Sequence, residues 1–246
     1  MASATGIPDE RPTAISSPSN EQEPLLGRPG DVCQKEDQAL VTNLITGTAT
    51  IAQAGIWILA ALVWNAIFSH DLIFFSPHPL LNSTGILLTT QAILLLQPTH
   101  TASQKRSGTL GHWGLLVLAN LCFISGLVII EINKAAHPEY RFTSVHGILG
   151  LVTYIFIFLQ ATVGVAQYFF PVVVFGSVDN GKKIYKYHRV SGYVVLLLEL
   201  ATVAAATQTA YNKAALHVKL WAVLVAAVLV IGGVGARIKK QKMKIF

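Results

Sequence analysis

The residues of this chain best suited to chemistry are histidines. There are eight, and four of them, His78, His112, His146 and His188, open consecutive long apolar runs. A neutral imidazole is a strong ligand for a transition metal and needs no charge to bind it. If consecutive runs cross a bilayer in alternating directions, His78 and His146 share one membrane face and His112 and His188 the other. Two histidines per face match the axial requirement of a b-type haem iron. Bis-imidazole ligation leaves that iron no open position for a substrate, so such a group carries electrons and does not activate oxygen. The motifs around them are glycine-bearing: Gly111 and Gly114 flank His112, Gly147 and Gly150 follow His146, and Gly192 follows His188 by one turn. Glycine lets a flat macrocycle come close to backbone. Interfacial histidine alone carries less meaning, since polar and aromatic residues often sit at membrane boundaries; the matched placement of four carries the argument.

The elements that position these histidines follow from composition. Hydrophobic residues make up 52% of the 246-residue chain and charged residues 12%, against about 25% charged in a soluble domain. Six apolar runs are legible: Leu44 to Phe68, Pro77 to Gln97, Gly111 to Ile132, Thr143 to Phe170, Tyr187 to Ala210 and His217 to Ala236. Each suits a bilayer-spanning helix of about 20 residues, and continuous apolarity speaks against a membrane barrel. The expected fold is an all-α membrane protein of six transmembrane helices, in which spans 2 to 5 form a central four-helix bundle holding two haems and spans 1 and 6 flank it. Expected boundaries are a disordered cytosolic tail over 1–42, the transmembrane domain over 43–237 and a basic cytosolic tail over 238–246. The first residues carry no basic-then-apolar signal, so span 1 is expected to serve as its own insertion signal. No soluble catalytic domain fits in the remainder.

Basic residues set the orientation. Lys105, Arg106, Lys182, Lys183, Lys186, Arg237, Lys239, Lys240, Lys242 and Lys244 fall on one side, while the other has Lys134, Arg141 and Lys213. The positive-inside rule then makes both termini cytosolic. The net charge of +6 reads as topology and attraction to anionic lipid, not as nucleic-acid binding. Cys33 lies in the polar tail and Cys122 in an apolar run, so no disulfide is indicated, and the absence of C-x-x-C-H excludes covalently attached haem. In the tail, Glu21 with Leu25 and Leu26 matches an acidic dileucine sorting pattern, which would suit a vacuolar or endolysosomal membrane, with a chance leucine pair in a loose tail as the alternative.

The segments His78-Pro-Leu-Leu-Asn-Ser, Gly111-His-Trp-Gly, Ser144-Val-His-Gly-Ile-Leu-Gly and Tyr187-His-Arg-Val-Ser-Gly-Tyr, in this order and spacing, resemble the cytochrome b561 family, most closely its small single-domain branch. The resemblance covers about residues 44 to 236. It implies two b haems on His78, His112, His146 and His188. It also implies a transmembrane oxidoreductase, ascorbate-dependent or of the ferric-reductase type, taking electrons from cytosolic ascorbate to non-cytosolic monodehydroascorbate or a ferric chelate. A homodimer is implied as well. The chain departs from the ascorbate-type members at the end of span 2, where it reads Ala92-Ile-Leu-Leu-Leu-Gln-Pro, and at Val145-His-Gly-Ile in span 4.

Lys105, Arg106, Lys182, Lys183, Lys186 and Arg189 gather on the side of His112 and His188 and could bind the anionic donor, with Lys105, Lys183, Lys186 and Arg189 as the named candidates, although topology alone also accounts for such charges. His137, in the outer loop after span 3, is a candidate at the acceptor face, with a solvated loop residue as the alternative. His70, His100 and His217 read as interfacial or loop residues. Glu199 stands eleven residues beyond His188, roughly 16 Å deeper along a helix, and a carboxyl at that depth is expected to face the bundle interior. This residue keeps open a second class of function, a proton- or metal-coupled membrane transporter that uses the histidines and Glu199 as a relay.

Overall fold

The computed structural model describes residue 30 and residues 32–136 and 138–243. His137 and the Glu21, Leu25 and Leu26 pattern lie outside the described residues. After a short 3-10 turn at Leu40–Leu44 come helices α1 (Ala49–Phe68), α2 (Pro77–Leu96), α3 (Ala102–Ala135), α4 (Val145–Phe169), α5 (Pro171–Phe175), α6 (Val178–Ala206) and α7 (Leu220–Gly235). No strand occurs among the described residues, and the fold is all-α. Five helices, α1, α2, α3, α4 and α6, are long and apolar enough to cross a membrane. The expected sixth span is α7, whose 16 residues give about 24 Å against a hydrocarbon core of about 30 Å.

Local chemistry sets the helix boundaries. Pro77 opens α2, where the missing N–H is harmless and the fixed φ suits a first turn; Pro171 stops α4 after Phe169. Ser144 Oγ accepts from Gly147 N at 3.1 Å to cap α4. Two starts differ from expectation. A capping box between Thr101 and Gln104 begins α3 at Ala102 and not at Gly111, and Ser177, accepting from Asn180 N, begins α6 at Val178 and not at Tyr187. Apolarity marks only the part of a helix that lies in lipid, whereas a cap satisfies the orphan N–H groups wherever they are. Polar residues therefore extend α3 and α6 outward on the basic side. His78 and His146 are each the second residue of their helix, while His112 and His188 lie ten residues in.

Three antiparallel pairs build the bundle. In the pair α2 and α3, the Phe123 ring fills the place a side chain at Gly85 would take, with Cε1 2.5 Å from the ideal Cβ position. In the pair α4 and α6, Thr153 and Thr202 hydroxyls meet at 2.9 Å and Ser191 Oγ donates to Gln160 Oε1 at 2.7 Å. Phe123 and Tyr154 rings, edge to face at 6.5 Å, join the two pairs. The third pair, α1 and α7, lies outside this core. Trp64 Nε1 ties it to α2 through Ser83 Oγ at 3.0 Å, as do reciprocal amide bonds between Gln53 and Gln91. Apolar side chains on the outer faces of α3 and α4, including Leu121, Val128, Ile148 and Ile155, are exposed, as lipid-facing positions should be.

Small residues bring α1 and α7 together, the usual device where lipid removes any hydrophobic drive between helices. A Cβ on Gly233 would meet Thr48 O at 2.6 Å and collide with Ala52, whereas nothing lies within 4 Å of one on Gly235. Gly233→Val should therefore destabilise the protein by about 1–3 kcal/mol, and Gly235→Ala should stay within about 0.5 kcal/mol of wild type. Thermal unfolding in detergent reads both; equal melting temperatures for the two variants would contradict this packing.

Candidate functional site

The four helix-borne histidines come together as two pairs. His78 and His146 have ring centroids 6.4 Å apart with planes at 80°. Phe75 stacks on His78 at 5.3 Å, and Tyr211 meets Phe75 edge-on. His112 and His188 line one cavity of about 1180 Å³ between α2, α3, α4 and α6, a generous volume beside the roughly 300–1,000 Å³ usual for ligand sites.

Three of the four rings are held by a neighbouring helix. His78 Nδ1–H donates to the Gly126 carbonyl at 2.9 Å, His112 Nδ1–H to Ala92 at 3.0 Å and His146 Nδ1–H to Thr202 at 3.0 Å. A carbonyl only accepts, so the proton sits on Nδ1 and Nε2 keeps its lone pair. Metal-binding histidines are ordinarily oriented in this way. The three carbonyls share a register. Gly126 lies fourteen residues after His112 on α3, Ala92 fourteen after His78 on α2, and Thr202 fourteen after His188 on α6. The two antiparallel pairs thus repeat one motif, with histidine levels separated by roughly 21 Å of helix. In the repeat, the fourth carbonyl would belong to Gln160, fourteen residues after His146. There the pattern departs: Gln160 Nε2 donates to His188 O at 2.6 Å, and His188 Nδ1 is buried with no hydrogen-bond partner among the described residues. Gly164 gives the His188 ring its room, since a Cβ there would stand 3.0 Å from Cε1.

The spacing of His78 and His146 fits a haem. A metal–imidazole bond is about 2 Å and an imidazole nitrogen is about 1 Å from its ring centroid, so two rings on opposite sides of one metal have centroids roughly 6 Å apart, close to the 6.4 Å of His78 and His146. Among the described residues, no group of three or more His, Cys, Asp or Glu gathers around a point. Two imidazoles alone suit a metal whose remaining ligands come from its own macrocycle.

Asn82 steadies the outer pair: its Nδ2 donates to His78 O at 2.7 Å and its Oδ1 accepts from Tyr154 at 2.7 Å. Asn82, Gly126, Gln160 and Gly164 escaped the sequence reading; the first lies one helical turn after His78, the one signal that was available. Glu199 is 2% exposed, its Oε2 has no hydrogen-bond partner among the described residues, and it lines the cavity between the two histidine levels. Cys33 and Cys122 are both free.

Of the candidate donor-binding cations, Lys105 and Arg189 line the cavity. Lys183 Nζ instead donates to Asn180 Oδ1 at 3.1 Å and Lys186 lies over the Tyr187 ring at 5.1 Å, both outside the lining. Arg106 and Lys182 of the same basic cluster also line it, together with Arg237, Lys239 and Lys242.

Residues 77–213, the segment that carries all four histidines, match the family model of eukaryotic cytochrome b561. The chain belongs to this family. It is 31% identical over 133 residues to human "Transmembrane reductase CYB561D2" and 30% identical over 132 residues to the mouse protein of that name. Each match covers 52% of this chain and 58% of the relative, so the chain spans a little over half the length of the curated relatives it matches. The family is one of haem b proteins, and the geometry of the His78 and His146 pair accords with it. Helices α1 and α7 lie outside the matched segment.

At the basic end, burial pushes the Lys242 ammonium from its ordinary 10.5 down to about 8, and the charges of Lys239, Lys105 and Arg189 add to the effect. The unfolded chain then binds more protons than the folded one between pH 8 and 10.5, so this group makes stability rise with pH across that window. Melting temperatures of wild type should gain on those of Lys242→Met between pH 8 and 10; a constant difference across that range would contradict the burial of this charge.

Proposed function

We propose that this protein is a transmembrane oxidoreductase. It binds two b haems, one between His78 and His146 and one between His112 and His188, and it moves single electrons from a cytosolic donor of the ascorbate type to an acceptor on the other side, monodehydroascorbate or a ferric chelate. The observation that carries the reading is the set of Nδ1–H to carbonyl bonds at His78, His112 and His146, which leave Nε2 free at both levels of one bundle. The reductase names of the relatives agree with it.

When bound, haem supplies a one-electron couple at each level. The chain supplies everything else. His78, His112, His146 and His188 would hold the two groups, the first three in tautomers fixed by their Nδ1–H bonds, and two imidazoles for each haem would leave no open position for oxygen chemistry. Phe123, Ile157 and Val195 wall the space between the levels with apolar groups, which keeps water from the path. Lys105 and Arg189, in the cavity wall below His112 and His188, raise the local concentration of an anionic donor; Lys183 and Lys186 stand further out and add to the same field, and His137 is the candidate on the acceptor face. The distribution of basic residues supports a cytosolic reading of both termini, and a homodimer accords with the family resemblance.

A pyridine haemochrome assay on the purified chain should give two haems per polypeptide. His78→Ala and His146→Ala should each remove the same spectral component in a redox titration, and His112→Ala and His188→Ala the other. A colourless protein would sink the haem reading, and loss of different components by His78→Ala and His146→Ala would sink the pairing.

A further inference from the structure

Immediately after α7, outside the segment that matches the family, stands the most deeply buried charge among the described residues. Arg237 is 1% exposed. Its Nη2 donates to the Asn43 carbonyl at 3.0 Å, while Nε and Nη1, equally buried, have no hydrogen-bond partner among the described residues. A buried guanidinium with two idle donors is costly, since neither water nor a counter-charge repays its desolvation. Burial lowers its basicity to about 10, which leaves it fully charged at neutral pH.

The surroundings say what would repay the cost. Arg237 lines the cavity that holds His112 and His188, and Arg189, Lys239 and Lys242 line its basic mouth as well. Among the described residues of that lining, the one acid is Glu199, which lies eleven residues deeper than His188. The segment after α7 is held across this mouth. Gly30 N donates to the Ala236 carbonyl at 2.8 Å, and Arg189 Nη1 donates to the Lys242 carbonyl at 2.5 Å. The two idle donors lie on different edges of the planar guanidinium, and each can give a charge-assisted hydrogen bond to an oxygen of a carboxylate or related oxyanion.

We propose that Arg237 is an anion-binding residue, one of whose idle donors, Nε or Nη1, receives a carboxylate-type oxyanion at the basic mouth, beside His112 and His188. Two sources share this chemistry: a carboxylate arm of the haem at that pair, or the free anionic donor. The inference rests on the haem reading for the first source and on the donor reading for the second.

The test uses the haem-loaded full chain and the variants Arg237→Gln and Arg237→Lys, with wild-type haem content measured first. A haem-free wild type refutes the function proposed above and is seen before any variant is compared. Redox titration then follows the component that His112→Ala removes. Apparent KM is measured for ascorbate, an anion, and for a neutral hydroquinone. Capture of a haem carboxylate predicts a lower midpoint potential of that component in Arg237→Gln, because removing a nearby cation favours the oxidised state, with the other component unmoved. Capture of the free donor predicts unmoved potentials and a KM for ascorbate raised about tenfold, the loss of one charge-assisted hydrogen bond, while the KM for the hydroquinone holds. Arg237→Lys keeps the charge and loses the fixed planar donors, so it should show a smaller change of the same kind, and it decides the matter if the glutamine variant does not fold. Wild-type potentials together with a wild-type KM for ascorbate in a folded variant would overturn the proposal.

Discussion

The structure depends on the hydrogen bond from an imidazole Nδ1–H to a backbone carbonyl of the partner helix. Within a bilayer every polar hydrogen must find an acceptor inside the protein, and a helical carbonyl has a second lone pair to offer. Three such bonds, to Gly126, Ala92 and Thr202, fix the tautomer of each ring and the rotation of each helix. They also lock the axial register of α2 against α3 and of α4 against α6. Because the carbonyls stand fourteen residues from the histidine of their own helix, the same bonds set the depth between the two levels. One interaction thus defines both the sites and the distance separating them.

The rest of the molecule supports that register. Gly126 lets α3 approach Asn82 on α2, where a Cβ would stand 2.6 Å from Nδ2. Tyr154 on α4 reaches Asn82 from the other pair, so the two halves of the bundle meet at the outer histidine pair. The inner pair is built more loosely. His188 has no carbonyl for its Nδ1, Gln160 spends its amide on the His188 carbonyl, and a large cavity opens beside it. The outer pair is thereby a packed site and the inner pair an accessible one, beside the positive charge. This asymmetry accords with a donor that approaches from the basic face.

Much of this was legible in the sequence because lipid imposes simple rules. Continuous apolar runs disclosed the helices, and alternation of direction paired His78 with His146 and His112 with His188 by face. The starts of α3 and α6 were not legible in hydropathy, because Thr101 and Ser177 place them in polar chain. For the same reason His112 and His188 lie well inside their helices. Lys183 and Lys186 were singled out by side of the membrane, which ignores helical phase; phase turns Lys182 and not its neighbours toward the cavity. Arg237 was absorbed into the charge count that sets topology, and nothing in a single sequence distinguishes a buried cation at a helix end from a solvated one. The fourteen-residue repeat was present in the numbering throughout, but its meaning needed the carbonyls, which all residues possess and no residue type announces.

The central claim is that each pair places two imidazole nitrogens on opposite sides of one iron. Low-temperature electron paramagnetic resonance of the oxidised, purified protein tests it most directly, because six-coordinate bis-imidazole ferric haem is low-spin and a haem with a missing axial ligand is high-spin. The account predicts two low-spin ferric signals and no substantial high-spin signal. A high-spin signal amounting to one haem per chain, in protein that retains both, would contradict it.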